Sequence, residues 1–163
     1  MLPASAKDQE DFKVLTMNFR TFTGILNYLA CRTCPDLAPA VSILSRFNHA
    51  PGLSHWKQMI HVWRYLKGTS DLKLILKPIT ALDPARLDFY TDATWADDNH
   101  TQKSQSGSLC FWKSCPISWN SKKQNNITLP TTESEMNALS DGLQENQCLS
   151  HLIEEFWESK LGP

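Results

Sequence analysis

An alternating stretch near the middle of the chain constrains the fold more than any other feature. Leu87, Phe89 and Thr91 fall on one side of an extended segment, and Asp88, Tyr90 and Asp92 fall on the other. This period of two predicts a β-strand, which then runs into a polar turn. Asp92 lies near the strand end among aromatic and apolar neighbours. A carboxylate there is either a turn-forming residue or a metal ligand, and the partners supplied by other segments decide between the two.

Length and composition are those of a globular protein. The chain has 163 residues, 41% of them hydrophobic and 20% charged, which allows one ordinary domain or two small ones. No apolar run approaches the length of a membrane span, and the first residues lack the apolar core of a signal peptide. We therefore expect an intracellular protein, cytoplasmic or nuclear and not secreted, with no membrane partner.

The first half of the sequence predicts a small helical bundle. We expect a polar lead-in over residues 1–16 and a helical region over residues 17–78. Apolar spacing predicts one helix from about Phe19 to Pro35 and a second over residues 36–47. A third helix is predicted from an N-cap at Ser54 to Lys67. Residues 72–77 predict a short strand, and residues 79–86 predict a linker between two domains.

The second half predicts a sheet followed by one long helix over residues 87–163. After the first strand, strands are expected at residues 108–113 and 117–121, separated by short turns, which indicates an antiparallel meander. A helix follows from Thr132 to about Lys160, interrupted by Gly142. Its predicted apolar stripe consists of Met136, Leu139, Leu143, Leu149, Leu152, Ile153 and Phe156. The fold class is therefore mixed α+β (or α/β).

Basic residues recur on one face of the third predicted helix. Lys57, His61, Arg64 and Lys67 lie three or four residues apart, so they share a face. An ordinary solvated face explains this pattern, and so does a helix that lies along a nucleic-acid backbone. Residues 1–80 carry ten Lys and Arg against five Asp and Glu, whereas residues 81–163 carry six against twelve. This asymmetry is compatible with either explanation.

Glu135 is the one good partner for Asp92. The sequence Thr132-Glu133-Ser134-Glu135 fits a capping box, in which Glu135 closes the helix onto the backbone of Thr132. Alternatively, Glu135 faces Asp92 and shares a divalent cation with it, because Mg²⁺ prefers carboxylate oxygens.

The five cysteines include one C-x-x-C pair, Cys31 and Cys34. Without a second pair, these thiols are better explained as half-buried residues at a helix end than as zinc ligands.

Several sequence blocks resemble the ribonuclease H region of copia-type retrotransposon polyproteins. The blocks are YTDATWAD at residues 90–97, KSQSG at 103–107, PISWNSKKQ at 116–124 and TESE at 132–135. The upstream half is similar to the end of the reverse transcriptase of the same polyproteins. The matching residues there include RYLKGT at 64–69, LSRF at 44–47 and the pair His55-Trp56. The resemblance runs from about residue 19 to residue 158.

The resemblance implies an RNase H-like fold behind a thumb-like helical region, with cleavage of RNA in RNA–DNA hybrids as the family activity. It implies that Asp92 and Glu135 are catalytic acids and ligands of Mg²⁺ or Mn²⁺. It adds Lys122 and Lys123 to Lys57, His61, Arg64 and Lys67 as nucleic-acid contacts. The implied partners are an RNA–DNA hybrid or other nucleic acid and further parts of the polyprotein.

The sequence departs from the family pattern in its later acids. The third and fourth acids of the family follow the long helix, and the chain ends at Pro163 before both. We therefore expect a truncated unit that holds a metal weakly, because two carboxylates bind two divalent ions poorly. Three interpretations stay open: an incomplete ribonuclease H, a non-catalytic nucleic-acid-binding module, and a product of a truncated element without function.

Overall fold

The computed structural model describes residues 1–79, 86–98, 101–128, 131–157 and 161. The chain divides into two compact units, Met1–Leu74 and Ile75–Pro163. Within the described part of the chain, every helix is too short or too polar to cross a lipid bilayer. The predicted linker at 79–86 lies largely outside the described residues.

The first unit is helical. Its elements are α1 (Ala6–Lys13), α2 (Phe19–Arg32), a 3₁₀ turn (Pro35–Leu37), α3 (Ala38–Ser45) and α4 (Leu53–Gly68). The apolar residues at three- and four-residue spacing converge on one core, as the periodicity predicts. That core contains Phe12, Phe19, Leu26, Ala30, Leu37, Val41, Leu44 and Met59. Trp56 and Trp63 of α4 pack on its rim, where each meets the ring of Phe22 edge to face.

The prediction of a loose lead-in over residues 1–16 was wrong. Residues 6–13 form α1, and Phe12 of this helix is buried against the rings of Phe19 and Trp56. A second anchor is polar: the Asp8 carboxylate accepts hydrogen bonds from the Ser54 backbone N–H at 3.0 Å and from the Ser54 hydroxyl at 2.7 Å. Because one apolar residue carries the packing of α1, the helix left almost no periodic signal in the sequence.

Three further predictions for the first half of the sequence were also wrong. The N-cap of α4 is Gly52 rather than Ser54, because Ser54 lies inside the helix and is capped by Asp8. A Cβ atom at residue 52 would lie 2.0 Å from Asp8 Oδ2 and 2.6 Å from Ala4 Cβ, so any side chain there would displace both residues. Residues 72–77, predicted as a strand, belong to no sheet ladder. The single helix predicted over 36–47 is instead the 3₁₀ turn followed by α3.

The second unit contains the predicted meander, with longer strands than expected. Strands β1 (Leu87–Thr94), β2 (Gln105–Trp112) and β3 (Cys115–Lys123) pair antiparallel in the order β1-β2-β3. Lys113 and Ser114, which join β2 to β3, have φ angles of 50° and 67°. Two consecutive residues with positive φ suit a tight hairpin turn between twisted strands.

The long helix α5 (Thr131–Trp157) packs on the sheet through small residues. Ser134, Ala138 and Gly142 are buried, and a Cβ atom at Gly142 would lie 2.3 Å from Thr91 Cγ2 and 2.8 Å from the Phe89 ring. The predicted apolar stripe was therefore largely wrong. Its exposed members are Met136, Leu139, Leu143, Leu152 and Phe156. Helix and strand approach closely only where side chains are small, which turns the larger residues outward.

The described elements confirm the predicted fold class. Four α-helices, one three-stranded antiparallel sheet and a fifth, long α-helix make a mixed α+β protein within the described residues. Phe89 and Thr91 face α5, as the alternation along residues 87–92 predicts.

Candidate functional site

Asp92 lies near the end of β1, opposite Gly107 of β2. Its neighbour Thr91 contacts α5 at Gly142, so strand alternation directs Asp92 to the face of β1 that α5 does not cover. The side chain is exposed and forms no hydrogen bond or ion pair with another described residue. The aromatic and apolar neighbours made a solvated carboxylate unexpected at this position, but the structure places an exposed one there.

Glu135 lies in the first turn of α5 and is exposed. The capping-box alternative was wrong. The helix begins at Thr131, so Thr132 lies inside the helix and is not its N-cap residue. The hydroxyl that bonds back within this turn is that of Ser134, which donates to the Thr131 carbonyl at 2.6 Å. The Glu135 side chain has no hydrogen-bond or ion-pair partner among the described residues.

The described residues do not assemble a complete metal centre. Among them, no group of three or more His, Cys, Asp and Glu side chains is placed to hold a metal ion. Mg²⁺ usually takes one or two protein carboxylates together with waters and substrate phosphates, so Asp92 and Glu135 supply too few ligands for a centre with two ions. The assignment of these two residues as metal ligands stays a prediction.

A buried hydrogen-bond network connects the strand ends to α5, and sequence reasoning missed it. We call it the Gln124 network. Its members are Trp95, Ala96, Ser104, Ser106, Gln124, Thr128 and Ser134. Gln124 donates through Nε2 to Ser106 Oγ and to the Ser134 carbonyl, both at 2.8 Å. Its backbone N–H donates to the Ser104 carbonyl at 2.8 Å.

The other end of the Gln124 network holds the segment that follows β1. Trp95 Nε1 donates to the Thr128 carbonyl at 2.9 Å, and the Ala96 N–H donates to Ser104 Oγ at 3.2 Å. Ser104 Oγ also lies 3.0 Å from Thr128 Oγ1. The sequence blocks quoted above for their resemblance therefore meet in one buried polar cluster. The signal was present as those blocks, but hydrophobic periodicity does not reveal hydrogen-bonded polar residues.

The predicted basic stripe forms an exposed face of α4. Lys57, His61, Arg64 and Lys67 are exposed, and Met59 on the opposite face is buried in the core. At 1.5 Å per residue, the stripe extends about 15 Å along the helix. None of the four side chains forms a hydrogen bond or ion pair with another described residue, although Lys57 lies near enough to Asp8 to help lower the pKa of that carboxyl. This face displays cations to solvent.

Lys122 and Lys123, the other two predicted contacts, are paired with acids. Lys122 Nζ lies 3.0 Å from Asp141 Oδ2 on α5, and Lys123 Nζ contacts Asp98 Oδ2. The Lys123 pair is the more buried of the two. A cation that already neutralises a carboxylate attracts phosphate less than an unpaired one. The two lysines therefore differ in electrostatic character from those of α4.

The cysteines are free thiols in the described residues. Cys31 is exposed and Cys34 is half-buried, so the expectation of two half-buried thiols was right for Cys34 alone. Cys110 is fully buried in the sheet. Burial, together with the carboxylates of Glu145 and Asp88, raises the pKa of Cys110 to about 11. A thiol with this pKa is neutral near pH 7, so Cys110 is neither a nucleophile nor a metal ligand in this state.

Comparison with known proteins identifies relatives in transposons. The retrovirus-related Pol polyprotein from transposon RE2 of Arabidopsis thaliana is 38% identical over 137 residues, which are 84% of this chain and 9% of the polyprotein. The corresponding polyprotein from transposon TNT 1-94 of Nicotiana tabacum is 35% identical over 147 residues, 90% of this chain and 11% of the polyprotein. The chain thus matches a small part of much longer polyproteins.

A shorter relative matches over most of its own length. The secreted RxLR effector protein 161 of Plasmopara viticola is 41% identical over 122 residues, which are 75% of this chain and 84% of that protein. No protein-family model matches the chain. No solved structure matches it either.

Proposed function

Because most of this chain is similar to a segment of retrovirus-related Pol polyproteins from transposons, we propose that it spans the end of a reverse transcriptase and the start of a ribonuclease H unit. In this proposal the helical unit binds an RNA–DNA hybrid through its phosphates. The sheet unit contributes Asp92 and Glu135 to a ribonuclease H centre that other parts of the polyprotein complete. Because Asp92 lies on the face of β1 that α5 does not cover, completion of the centre must also bring its side chain together with that of Glu135. The place of action is intracellular.

The exposed cationic face of α4 carries the binding part of the proposal. Lys57, Arg64 and Lys67 point to solvent along one face of a helix whose opposite face is fixed in the core. A rigid row of cations about 15 Å long suits a row of backbone phosphates better than one small anion. Recognition of this kind follows the charge and shape of the duplex and does not depend on base sequence.

Cleavage is proposed only for the complete centre. Asp92 and Glu135 supply two carboxylates, and the described residues contain no third ligand grouped with them. We therefore expect this chain alone to bind the hybrid without cleaving it. The same observation favours the non-catalytic binding module over an independent nuclease as the activity of the isolated chain.

Fluorescence anisotropy with a labelled RNA–DNA hybrid tests the binding. The variant K57A/R64A should bind more weakly, and the slope of log K against log salt should become shallower by roughly two, about 0.9 for each lost phosphate contact. The matched control is K13A/R32A, which removes two exposed cations of the same unit from other helices. Equal losses in both variants would show that only net charge matters and would refute a dedicated α4 face.

Incubation of the labelled hybrid with the wild-type chain and Mg²⁺ or Mn²⁺ tests the catalytic part. The expected result is an intact hybrid with both the wild type and Asp92→Asn. Metal-dependent cleavage that disappears in Asp92→Asn would overturn the proposal that the isolated chain is inactive. Absence of hybrid binding by the folded wild type would overturn the proposed function as a whole.

A further inference from the structure

We propose that Gln124 is a positioning residue that fixes Glu135 relative to the strand ends. This inference rests on the proposed function, in which Glu135 is a functional carboxylate. Gln124 follows β3 directly and is 5% exposed. Its two side-chain hydrogen bonds join β2 at Ser106 to the first turn of α5 at Ser134, the residue before Glu135.

The orientation of the Gln124 amide is dictated by its surroundings. The Ser134 carbonyl can only accept a hydrogen bond, so the side-chain nitrogen must face it, which leaves Oε1 on the other side. Oε1 is buried and has no hydrogen-bond partner within the described part of the chain. A buried unpaired acceptor costs free energy. An apolar side chain of similar size, such as methionine, would avoid this cost, so the glutamine is explained by its donor group rather than by packing.

The hydrogen bond from Gln124 acts on the first turn of α5, where it adds a directional contact to the packing of Ser134 and Ala138 on the sheet. The close contact at Gly142 lies eight residues further along the helix, about 12 Å away. Glu145, whose carboxylate accepts from Ser108 at 3.0 Å and Ser118 at 2.6 Å, lies further still. Helix ends fray when their first turn lacks external partners. Gln124 thus determines where the first turn, and with it Glu135, lies against the sheet.

Two variants of nearly equal size separate the donor from the packing. Q124M removes the donor at every pH. Q124E replaces the amide by a carboxylate that cannot donate when ionised but donates one hydrogen bond when protonated. The wild-type chain is the reference, and the backbone amide signals of Ser134, Glu135 and Leu149 are followed by NMR as a function of pH.

The expected result is local to the first turn. In Q124E the amide signals of Ser134 and Glu135 should shift at neutral pH and return toward their wild-type positions on acidification, while Leu149 follows the wild type throughout. In Q124M the first-turn shifts should persist at every pH. Hydrogen-exchange protection of the amides at residues 135–138, corrected for intrinsic rates, should fall about tenfold in Q124M, which corresponds to one hydrogen bond.

Two outcomes would overturn the inference. If Ser134 and Glu135 keep their wild-type signals in both variants, Gln124 does not position them. If protection falls equally along all of α5 and acidification restores nothing in Q124E, Gln124 has a general structural role. Hybrid binding through α4 should be unchanged in both variants. Failure of the wild type to bind hybrid concerns the proposed function alone, because the NMR shifts are read without nucleic acid.

Discussion

The two units of this chain bury different kinds of residue. In the helical unit, Leu26 and Met59 are fully buried in a core of eight apolar side chains. In the sheet unit, the buried set combines a few apolar residues with five polar ones: Ser104, Ser106, Gln124, Thr128 and Ser134. Apolar burial has no preferred direction, whereas hydrogen bonds do. The helical unit is therefore held mainly by burial and the sheet unit by specific geometry at its strand ends.

This difference corresponds to a difference in proposed role. A surface that contacts phosphates needs cations on a stable support, and α4 supplies that support by burying Met59 opposite its exposed cations. A surface that presents carboxylates for chemistry needs fixed positions, which directional contacts provide. The Gln124 network lies between the end of β1 and the first turn of α5, the two places from which Asp92 and Glu135 project.

Leu26→Ala should show the largest effect on stability, because it opens a cavity in the apolar core. Leu26 is fully buried, and the expected loss in the free energy of unfolding is about 3 kcal/mol. The matched control is Leu143→Ala in α5, where the leucine is 55% exposed and the loss should stay below about 0.5 kcal/mol. Chemical denaturation of both variants measures the difference. Equal losses would mean that the apolar face of α5 is covered in solution.

Gly142→Ala should cause the next largest loss in the free energy of unfolding, and it tests the close approach of α5 to β1. The added Cβ would lie 2.3 Å from Thr91 Cγ2, so helix and strand must separate at a cost of about 2 kcal/mol. The control is Gly24→Ala in α2, where a Cβ meets nothing within 4 Å. This control should gain about 0.5–1 kcal/mol because alanine favours helix. If Gly142→Ala also stabilised the protein in thermal unfolding, the described helix–sheet packing would be wrong.

Ser104→Ala should cause a somewhat smaller loss of stability, because the substitution removes hydrogen bonds and hardly changes apolar packing. The Ser104 side chain is fully buried, and its loss leaves the Ala96 N–H and the Thr128 hydroxyl without this partner. We expect a loss of about 1.5 kcal/mol in the free energy of unfolding. Ser140→Ala, at an exposed position of α5, is the control and should change little. A neutral result at Ser104 would show that the Gln124 network adds nothing to stability.

Sequence patterns predicted the elements that bury regular apolar faces. The helical spacing around Leu26 and Met59 and the alternation at Phe89 and Thr91 correspond to observed packing. The same patterns missed α1, whose single buried residue is Phe12, because one position has no period. They also misplaced the buried face of α5, since a broad apolar stripe does not reveal that Gly142 makes the closest contact.

The candidate site was predicted less completely than the fold. Asp92 and Glu135 were selected through a resemblance and through chemistry, and their joint role as metal ligands stays a prediction. Gln124 was not selected, because its importance lies in partners from two other segments, Ser104 and Ser106 in one and Ser134 in the other. Hydrogen bonds between residues distant in sequence depend on the tertiary structure. No local pattern contains that information.

Asp8→Asn should have the smallest effect on stability, and this effect should depend on pH, because Asp8 is a polar anchor between α1 and α4. The hydrogen bond from the Ser54 hydroxyl lowers the pKa of Asp8 below its ordinary value of 3.8. A carboxyl whose pKa is lower in the folded state adds stability above its ordinary pKa and loses that contribution as pH falls through the folded value. Wild type should therefore exceed Asp8→Asn in stability at neutral pH, and the difference should shrink on acidification below pH 3.8.

Asp11→Asn, at an exposed position of the same helix, controls for the loss of one charge. Denaturation midpoints across the acidic range measure the effect. A difference that is constant with pH, or equal in Asp11→Asn, would mean that Asp8 does not anchor α1 to α4 through its ionised form.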